Sequence, residues 1–305
     1  MKYKYMREIA FLPYRKTIYK SETPMVQEYE KYYKKYKNLG LSSSSITEKY
    51  ATQARVIPTY KNVWLSLDKC DLPSVVPHDD IQEVALDYTM RMLQPALRQY
   101  PLWPNQSPLI NSSSSPGTFW KDLGLNSKIE AVNSPLMERM FQSVDHPPLC
   151  DYNPKEELLP VHDIMESNKI RGTFNPQCDF VLKEKFLYDN QNAAMVCLNE
   201  SSWIKYGFVK QYGGFNRLAQ SFTQFEITDE GDVKGYDRAI DLHYAVQIRN
   251  FFLECPFWLE DTKQYVTHFT LNPLVICPDG VVRERQCGNI SGSNNTTSTT
   301  ALHIS

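Results

Sequence analysis

Two aspartates, Asp232 and Asp237, stand five positions apart in the stretch Asp-Val-Lys-Gly-Tyr-Asp. At a junction between a strand and a helix, such a pair divides two tasks. The first carboxylate can ligate a hard divalent cation such as Mg2+, which prefers oxygen ligands. The second can reach a ribose hydroxyl. The pair alone is a weak signal. With 35 acidic residues in 305, chance supplies about 4 pairs at this spacing, and a turn with solvated acids explains it as simply. Asp229 is a second candidate for the metal role, in a poorer register to Gly235-Tyr236-Asp237.

Downstream lies Gly288-Asn-Ile-Ser-Gly-Ser-Asn-Asn-Thr-Thr297. Its glycines allow close approach of the backbone to a ligand. Ser291, Thr296 and Thr297 offer hydroxyls, and a helix opening near Thr296 would offer free N–H donors. A capped Ser/Asn-rich loop is the plainer explanation. Upstream, Lys155-Glu-Glu-Leu-Leu-Pro160 is followed by Lys169-Ile-Arg171-Gly172. Cations at i and i+2 of an extended segment project from one side, and the arginine fork can grip a triphosphate bidentately. Most such triplets are simply surface charge. Ser115-Pro116-Gly117 is a tight-turn signature and the least specific of the four.

The elements that must position these residues alternate between helix and strand signals. Residues 20–45 read as a Tyr- and Lys-rich helix ending at Gly40. Residues 79–93 read as a helix capped by Asp79 or Asp80, with Ile81, Val84, Ala85, Tyr88 and Met92 on its apolar face and Pro95 disturbing its end. Residues 101–117 form a Pro/Ser/Asn-rich loop. A helix is predicted over 178–197, with Pro176 just ahead of it, and another from Gly213-Gly214 to about Phe222. Residues 226–234 look extended and 238–253 helical. Strands are predicted over 266–277 and 281–287, joined by Pro278-Asp279-Gly280. No repeat and no linker divides the chain.

Composition fits a folded globular protein: 42% hydrophobic and 22% charged, with a net charge of −2. That total gives no support for a nucleic-acid partner. Residues 1–40 differ, with ten Lys/Arg, four Asp/Glu and eight Tyr. Basic residues interleaved with aromatics can hold a nucleic-acid strand, although a solvated helix with tyrosines on its buried side fits as well. Seven cysteines without C-x-x-C spacing suggest reduced thiols in a cytosolic setting. No stretch approaches the ~18 apolar residues of a membrane span, so membrane association would run through partners.

Taken in order, the four elements resemble the RNA-dependent RNA polymerases of positive-strand RNA viruses, in the picornavirus, potyvirus and astrovirus assemblage. Asp232-x4-Asp237 is similar to motif A. Gly288-Asn289 and Ser291-Gly292 through Thr296-Thr297 are similar to motif B. Lys155-Glu156-Glu157-Leu158 and Lys169-Ile170-Arg171 resemble the approach to motif F and motif F itself, and Ser115-Pro116-Gly117 resembles motif G. Gln211-Tyr-Gly-Gly-Phe-Asn-Arg-Leu218 is most similar to astrovirus-type sequences. Motifs G, F, A and B come collinearly, and 54 residues separate Asp237 from Ser291. The likeness covers 110–305 well and 50–110 loosely.

The resemblance implies an α+β right-hand polymerase, with fingers and a partial palm built on an antiparallel sheet and the thumb missing. The expected parts are 1–110 as the N-terminal and outer fingers region, 111–225 as fingers and 226–305 as partial palm, in one continuous domain. The implied reaction is nucleotidyl transfer onto an RNA 3′-hydroxyl with Mg2+ (or Mn2+) as cofactor. By resemblance, Asp232 ligates the metals and Asp237 reads the ribose 2′-OH. Lys169 and Arg171 neutralise the triphosphate. Ser291, Thr296 and Thr300 contact the nucleotide, and Ser115, Pro116, Gly117 and Gly292 contact the RNA template. Thr300 stands where the family often has Asn. The implied partners are RNA template and primer, NTPs and other viral replication proteins. The implied location is the host cytoplasm, at membrane-associated replication complexes.

No Gly-Asp-Asp follows motif B, so a fragment of a longer polyprotein, inactive alone, is expected. A reverse transcriptase and a non-catalytic viral RNA-binding or structural protein are the rival readings.

Overall fold

The structure, a computed structural model, describes residues 3–13, 53–55, 59–73, 80–103, 106, 108–155, 157–160, 163, 169–200, 205–209, 211–223, 225–226 and 242–293. The expected helix at 20–45, the stretch carrying Asp229, Asp232 and Asp237, and the helix start near Thr296 lie outside the described residues.

In chain order the elements are β1 (Arg7–Phe11), β2 (Gln53–Arg55), α1 (Tyr60–Asp68), α2 (Asp80–Leu97), α3 (Thr118–Asp122), α4 (Lys128–Val132), α5 (Pro135–Gln142), β3 (Leu149–Pro154), β4 (Leu158–Pro160), β5 (Gly172–Asn175), α6 (Cys178–Cys197), α7 (Gly214–Phe222), α8 (His243–Phe252), α9 (Glu260–Leu271), β6 (Leu274–Ile276) and β7 (Val281–Glu284). Strands β1, β7, β6, β3 and β5 lie side by side in that order. All neighbours are antiparallel except β3 and β6, which run parallel. The sheet therefore draws strands from all three segments expected from the sequence, 1–110, 111–225 and 226–305. Strands β2 and β4 form a separate antiparallel pair.

Helix α6 is the hub. Thirteen of its 20 residues are buried, so it is enclosed on most sides, unlike an amphipathic surface helix. Phe180, Leu187 and Tyr188 pack with Tyr265 and Val266 of α9. Cys178 and Leu182 pack with Trp120, Ala131 and Met137 from α3, α4 and α5. Met195 meets Leu93, Ala96 and Leu97 of α2 and Ala245 and Ile248 of α8. Its buried polar groups fix it further. Asp179 accepts from Trp120 Nε1 at 3.1 Å and meets His146 Nε2 at 3.1 Å, and Lys183 Nζ donates to the Met140 carbonyl at 2.7 Å. A buried polar group without such partners would be costly. A second core, formed by Val63, Leu67, Cys150, Tyr152, Phe174, Val275, Cys277 and Ile290, joins α1 to one face of the sheet.

The helices at 178–197 and 214–222 fall where the sequence places them, and so does the turn at 278–280. There the Gly280 N–H donates to the Cys277 carbonyl at 2.9 Å, and Asp279 Oδ1 accepts from the Val281 N–H at 3.0 Å. The expected 238–253 helix is described from His243 to Phe252. Two expectations are corrected. Residues 266–271 belong to a helix, α9, not to a strand. Their Val, Thr and Phe content suits strands, but Glu260 and Asp261 in the first turn favour a helix start, and Thr262, Tyr265 and Val266 are buried at helical spacing. In α2, Val84, Tyr88 and Met92 are exposed, and the buried stripe is Thr89, Leu93, Ala96 and Leu97. The helix continues past Pro95, and this last turn carries the residues that meet α6 and α8. The apolar stripe read from the sequence lies on the wrong side by about one residue.

Candidate functional site

Two of the loops singled out in the sequence meet at one place, the passage from β5 into α6. The Phe174 N–H donates to Ser291 Oγ at 2.9 Å, and the Gly292 N–H donates to the Phe174 carbonyl at 2.9 Å. The loop thus docks along the strand like a short extra ladder. Gly292 has no room for a side chain: an added Cβ would lie 2.6 Å from the Phe174 carbonyl oxygen and 2.9 Å from Pro176 Cδ.

From the other side, the Cys178 N–H donates to the Pro116 carbonyl at 2.8 Å. Gly117 takes φ +94°, and a Cβ there would meet Gln177 Cα at 2.9 Å. Conformation and crowding both call for glycine. Thr118 follows, its hydroxyl donating to Asp151 of β3. Pro116 and Gly117 are buried, while Ser115 and Ser291 face solvent. Residues 174–178 therefore present two exposed serines on flanking loops with a rigid backbone between them.

Lys169 and Arg171 lie just before β5. Ile170 between them is buried, and its carbonyl accepts from Ser66 Oγ at 2.8 Å. This leaves the cations outward, with side chains 59% and 64% exposed. Each is engaged by its own carboxylate. Lys169 Nζ stands 2.6 Å from Asp163 Oδ1. Arg171 donates through Nε to Glu157 Oε1 at 2.9 Å and through its terminal nitrogen to Glu157 Oε2. Arg171 holds the Glu157 carboxyl below its ordinary range. The Lys155 N–H also donates to the Arg171 carbonyl at 2.8 Å. The two halves of the motif F-like signature, separate in sequence, are thus one structural unit. A triphosphate would have to compete with Glu157 and Asp163 for these cations. Asp232, Asp237, Thr296 and Thr300 lie outside the described residues.

Three groups that the sequence did not single out support the loop from below. Glu184 of α6 is fully buried, and its Oε1 accepts from Ser293 Oγ at 2.5 Å. Arg285 is fully buried, with its guanidinium carbon 4.2 Å from the Phe174 ring centroid. Its three guanidinium nitrogens have no hydrogen-bond partner, so the ring face is its visible compensation. Cys150 lies in the same pocket: burial pushes its thiol up, with Asp151 and Glu184 adding to the rise and Arg285 opposing it. In sequence Glu184 looks like an ordinary helix-surface acid. Its only mark is its place in a helix hydrophobic on every side.

Among the described residues, no three His, Cys, Asp or Glu side chains gather as a metal-ion donor set, and no helix is long and apolar enough to cross a membrane.

Comparison with known proteins bears on the family and the fold. A family profile described as viral RNA-dependent RNA polymerase matches residues 8–298. The genome polyprotein of Beet mosaic virus is 29% identical over 146 residues, 47% of this chain and 5% of the polyprotein. That of Zucchini yellow mosaic virus (strain Singapore) is 26% identical over 164 residues, 52% of the chain and 5% of the polyprotein. Among solved structures, a Sicinivirus 3Dpol RNA dependent RNA polymerase superposes with a TM-score of 0.65 at 14% identity, covering 82% of this chain and 59% of that one. The chain thus has the right-hand polymerase fold, and it spans about a twentieth of the polyproteins and three-fifths of the solved polymerase that it matches. With the profile running through nearly all of its length, the chain belongs to the viral RNA-dependent RNA polymerase family.

Proposed function

We propose that this chain forms the fingers and part of the palm of a polymerase that copies viral RNA from an RNA template, with the thumb and a Gly-Asp-Asp-bearing motif C supplied by further polyprotein sequence. The reaction is nucleotidyl transfer: a primer 3′-hydroxyl attacks the α-phosphorus of an NTP, and pyrophosphate leaves. The supporting observation is the seating of the 115–117 turn and the 291–293 loop on the one passage from β5 to α6. A template strand held by the first loop and a nucleotide held by the second would then lie in fixed relation.

In this reading Ser115, Pro116, Gly117 and Gly292 border the template, and Ser291, whose Oγ accepts from the Phe174 N–H and keeps its own proton to donate, contacts the incoming ribose with Thr296 and Thr300. Arg171 and Lys169 exchange Glu157 and Asp163 for the triphosphate, a swap open to them because both cations face solvent. Asp237 reads the 2′-hydroxyl. Asp232 would hold Mg2+ (or Mn2+) together with carboxylates beyond the described residues; a bound pair of such ions would brace the attacking and leaving oxygens. The chain acts as one continuous unit in which 1–110, 111–225 and 226–305 share a sheet. It would work in the host cytoplasm at membrane-associated replication complexes, with other viral replication proteins.

Primer extension by the polymerase containing this chain tests the proposal. Asp232→Asn should abolish extension while leaving RNA binding intact, and Arg171→Ala should raise the KM for NTPs. Replication indifferent to Asp232→Asn would point to a non-catalytic RNA-binding protein instead.

A further inference from the structure

We infer that Glu184 is a positioning residue for the nucleotide-facing loop, acting through Ser293. The inference rests on the polymerase reading for its consequence in catalysis, but its structural part stands apart from that reading. Glu184 sits in the second turn of α6 and is fully buried. Its carboxylate accepts from Ser293 Oγ at 2.5 Å, across 109 residues of sequence. A hydrogen bond with a carboxylate acceptor is shorter and about twice as strong as a neutral one, and it is stronger still where water is excluded.

The remaining tethers hold the loop by its other end. Ser291 and Gly292 are bonded to the two polar groups of the Phe174 backbone. These fix the loop against β5, but both sit on one side of it. Ser293 is where the chain leaves Phe174; its N–H donates to the Ile290 carbonyl at 2.9 Å within the loop, and its side chain is held to α6 by Glu184. A carboxylate on a helix with thirteen of its 20 residues buried has little freedom to move. Ser291, an exposed residue whose Oγ is bonded to the Phe174 N–H, is therefore held by two rigid elements, β5 and α6. Helix α6 itself is bonded to the 115–117 turn through Cys178 and Pro116. Glu184 thus ties the nucleotide-facing loop to the helix that carries the template-facing turn.

The variants are Glu184→Ala, Glu184→Gln and Ser293→Ala in the complete polymerase; Ser293→Ala removes the same bond without touching the helix. Two measurements are made. In hydrogen exchange, Ser293→Ala and Glu184→Ala should each strip protection from the amides of Gly292, Ser293 and Phe174, with the middle of α6 still protected. In single-nucleotide incorporation, both should raise the KM for an NTP tenfold or more and narrow its preference over the corresponding dNTP. Glu184→Gln, which keeps an acceptor, should restore most of both. In loop protection the double variant should be no worse than Glu184→Ala alone, since both changes remove the Glu184–Ser293 bond.

Unchanged loop protection in Ser293→Ala would overturn the inference whatever the enzyme does. Lost protection with unaltered KM and ribose preference would overturn the positioning role. Wild-type protein that fails to extend a primer would instead count against the polymerase reading, and the exchange result would still decide the structural part.

Discussion

Replacing Gly292 with alanine tests the geometry of the loop more sharply than any charge change. Away from strain, glycine to alanine stabilises a protein by about 0.4–1 kcal/mol, because the unfolded chain has less freedom to lose. Here the added Cβ would lie 2.6 Å from the Phe174 carbonyl oxygen, 2.9 Å from Pro176 Cδ and 3.2 Å from Asn175 Cα. Backbone and a proline ring cannot swing aside, so the loop must retreat by about 0.8 Å to bring the 2.6 Å approach to ordinary contact, a steric cost of about 1–3 kcal/mol. The retreat strains the bond from the Gly292 N–H to Phe174, 2.9 Å long, and the one from Phe174 to Ser291. Each contributes about 1 kcal/mol net. The sum outweighs the entropic gain, and Gly292→Ala should destabilise the loop by about 2–3 kcal/mol. Hydrogen exchange at the Phe174 amide reads that number directly, and a fall in nucleotide incorporation should accompany it. An amide as protected as in wild type, or a more stable protein in urea, would refute the reasoning.

Other perturbations have equally definite signs. Arg285→Met should stabilise the protein by about 1–4 kcal/mol in urea unfolding, because it replaces a buried, hydrogen-bond-free guanidinium with an apolar chain of similar length; a loss of stability would show that the Phe174 ring compensates the charge fully. Arg171→Ala should alter stability by about 1 kcal/mol or less, since the arginine side of its pair with Glu157 is 64% exposed, while raising the KM for NTPs in steady-state kinetics. Burial pushes the Cys178 thiol up from 9.0 to about 11. The folded form then keeps a proton that the unfolded chain has lost, so this contribution is whole below pH 9 and disappears as pH rises towards 11. Comparing wild type with Cys178→Ala from pH 8 to 11 should reveal a difference in slope that sums to about 2 kcal/mol. Lys183, lowered to about 8 by burial, works in the opposite direction in both proteins and cancels in that comparison.

What the sequence disclosed was mostly local. The 178–197 helix announces itself through Pro176 and a long run of helix formers, and the 278–280 turn through Pro-Asp-Gly. The face of α2 was misread because Val84, Tyr88 and Met92 are as regularly spaced as Leu93, Ala96 and Leu97. Periodicity ranks stripes by hydrophobicity and cannot say which one finds a partner. At 266–271, strand-like residues sit in a helix because α6 packs against Tyr265 and Val266, a tertiary choice that overrides propensity. The site shows the same divide. Ser291-Gly292, Ser115-Pro116-Gly117 and Lys169-Ile170-Arg171 stood out as motifs in the sequence. Their meeting along residues 169–178 was not visible, since the 291–292 loop reaches Phe174 across 117 residues of sequence and the 115–117 turn reaches Cys178 from a separate segment. Glu184 and Arg285 were invisible, because nothing about an acid in a helix or a base after a strand declares that it will be enclosed.

The pairing of β1 with β7 bears on when this protein can fold. Arg283 meets Glu8 across 275 residues, and among the described strands β1 lies at the sheet edge, paired with β7. During synthesis β1 leaves the ribosome about 275 residues ahead of β7, its neighbour among the described strands. At about 5–20 residues per second, β1 waits roughly 15–55 s for it. Such distant pairing also slows folding once both strands are available. Throughout that interval an edge strand with open hydrogen-bonding groups is exposed to other chains. Its protection over those seconds falls to whatever covers it, whether residues nearby in the nascent chain or the chaperones that attend a growing polyprotein.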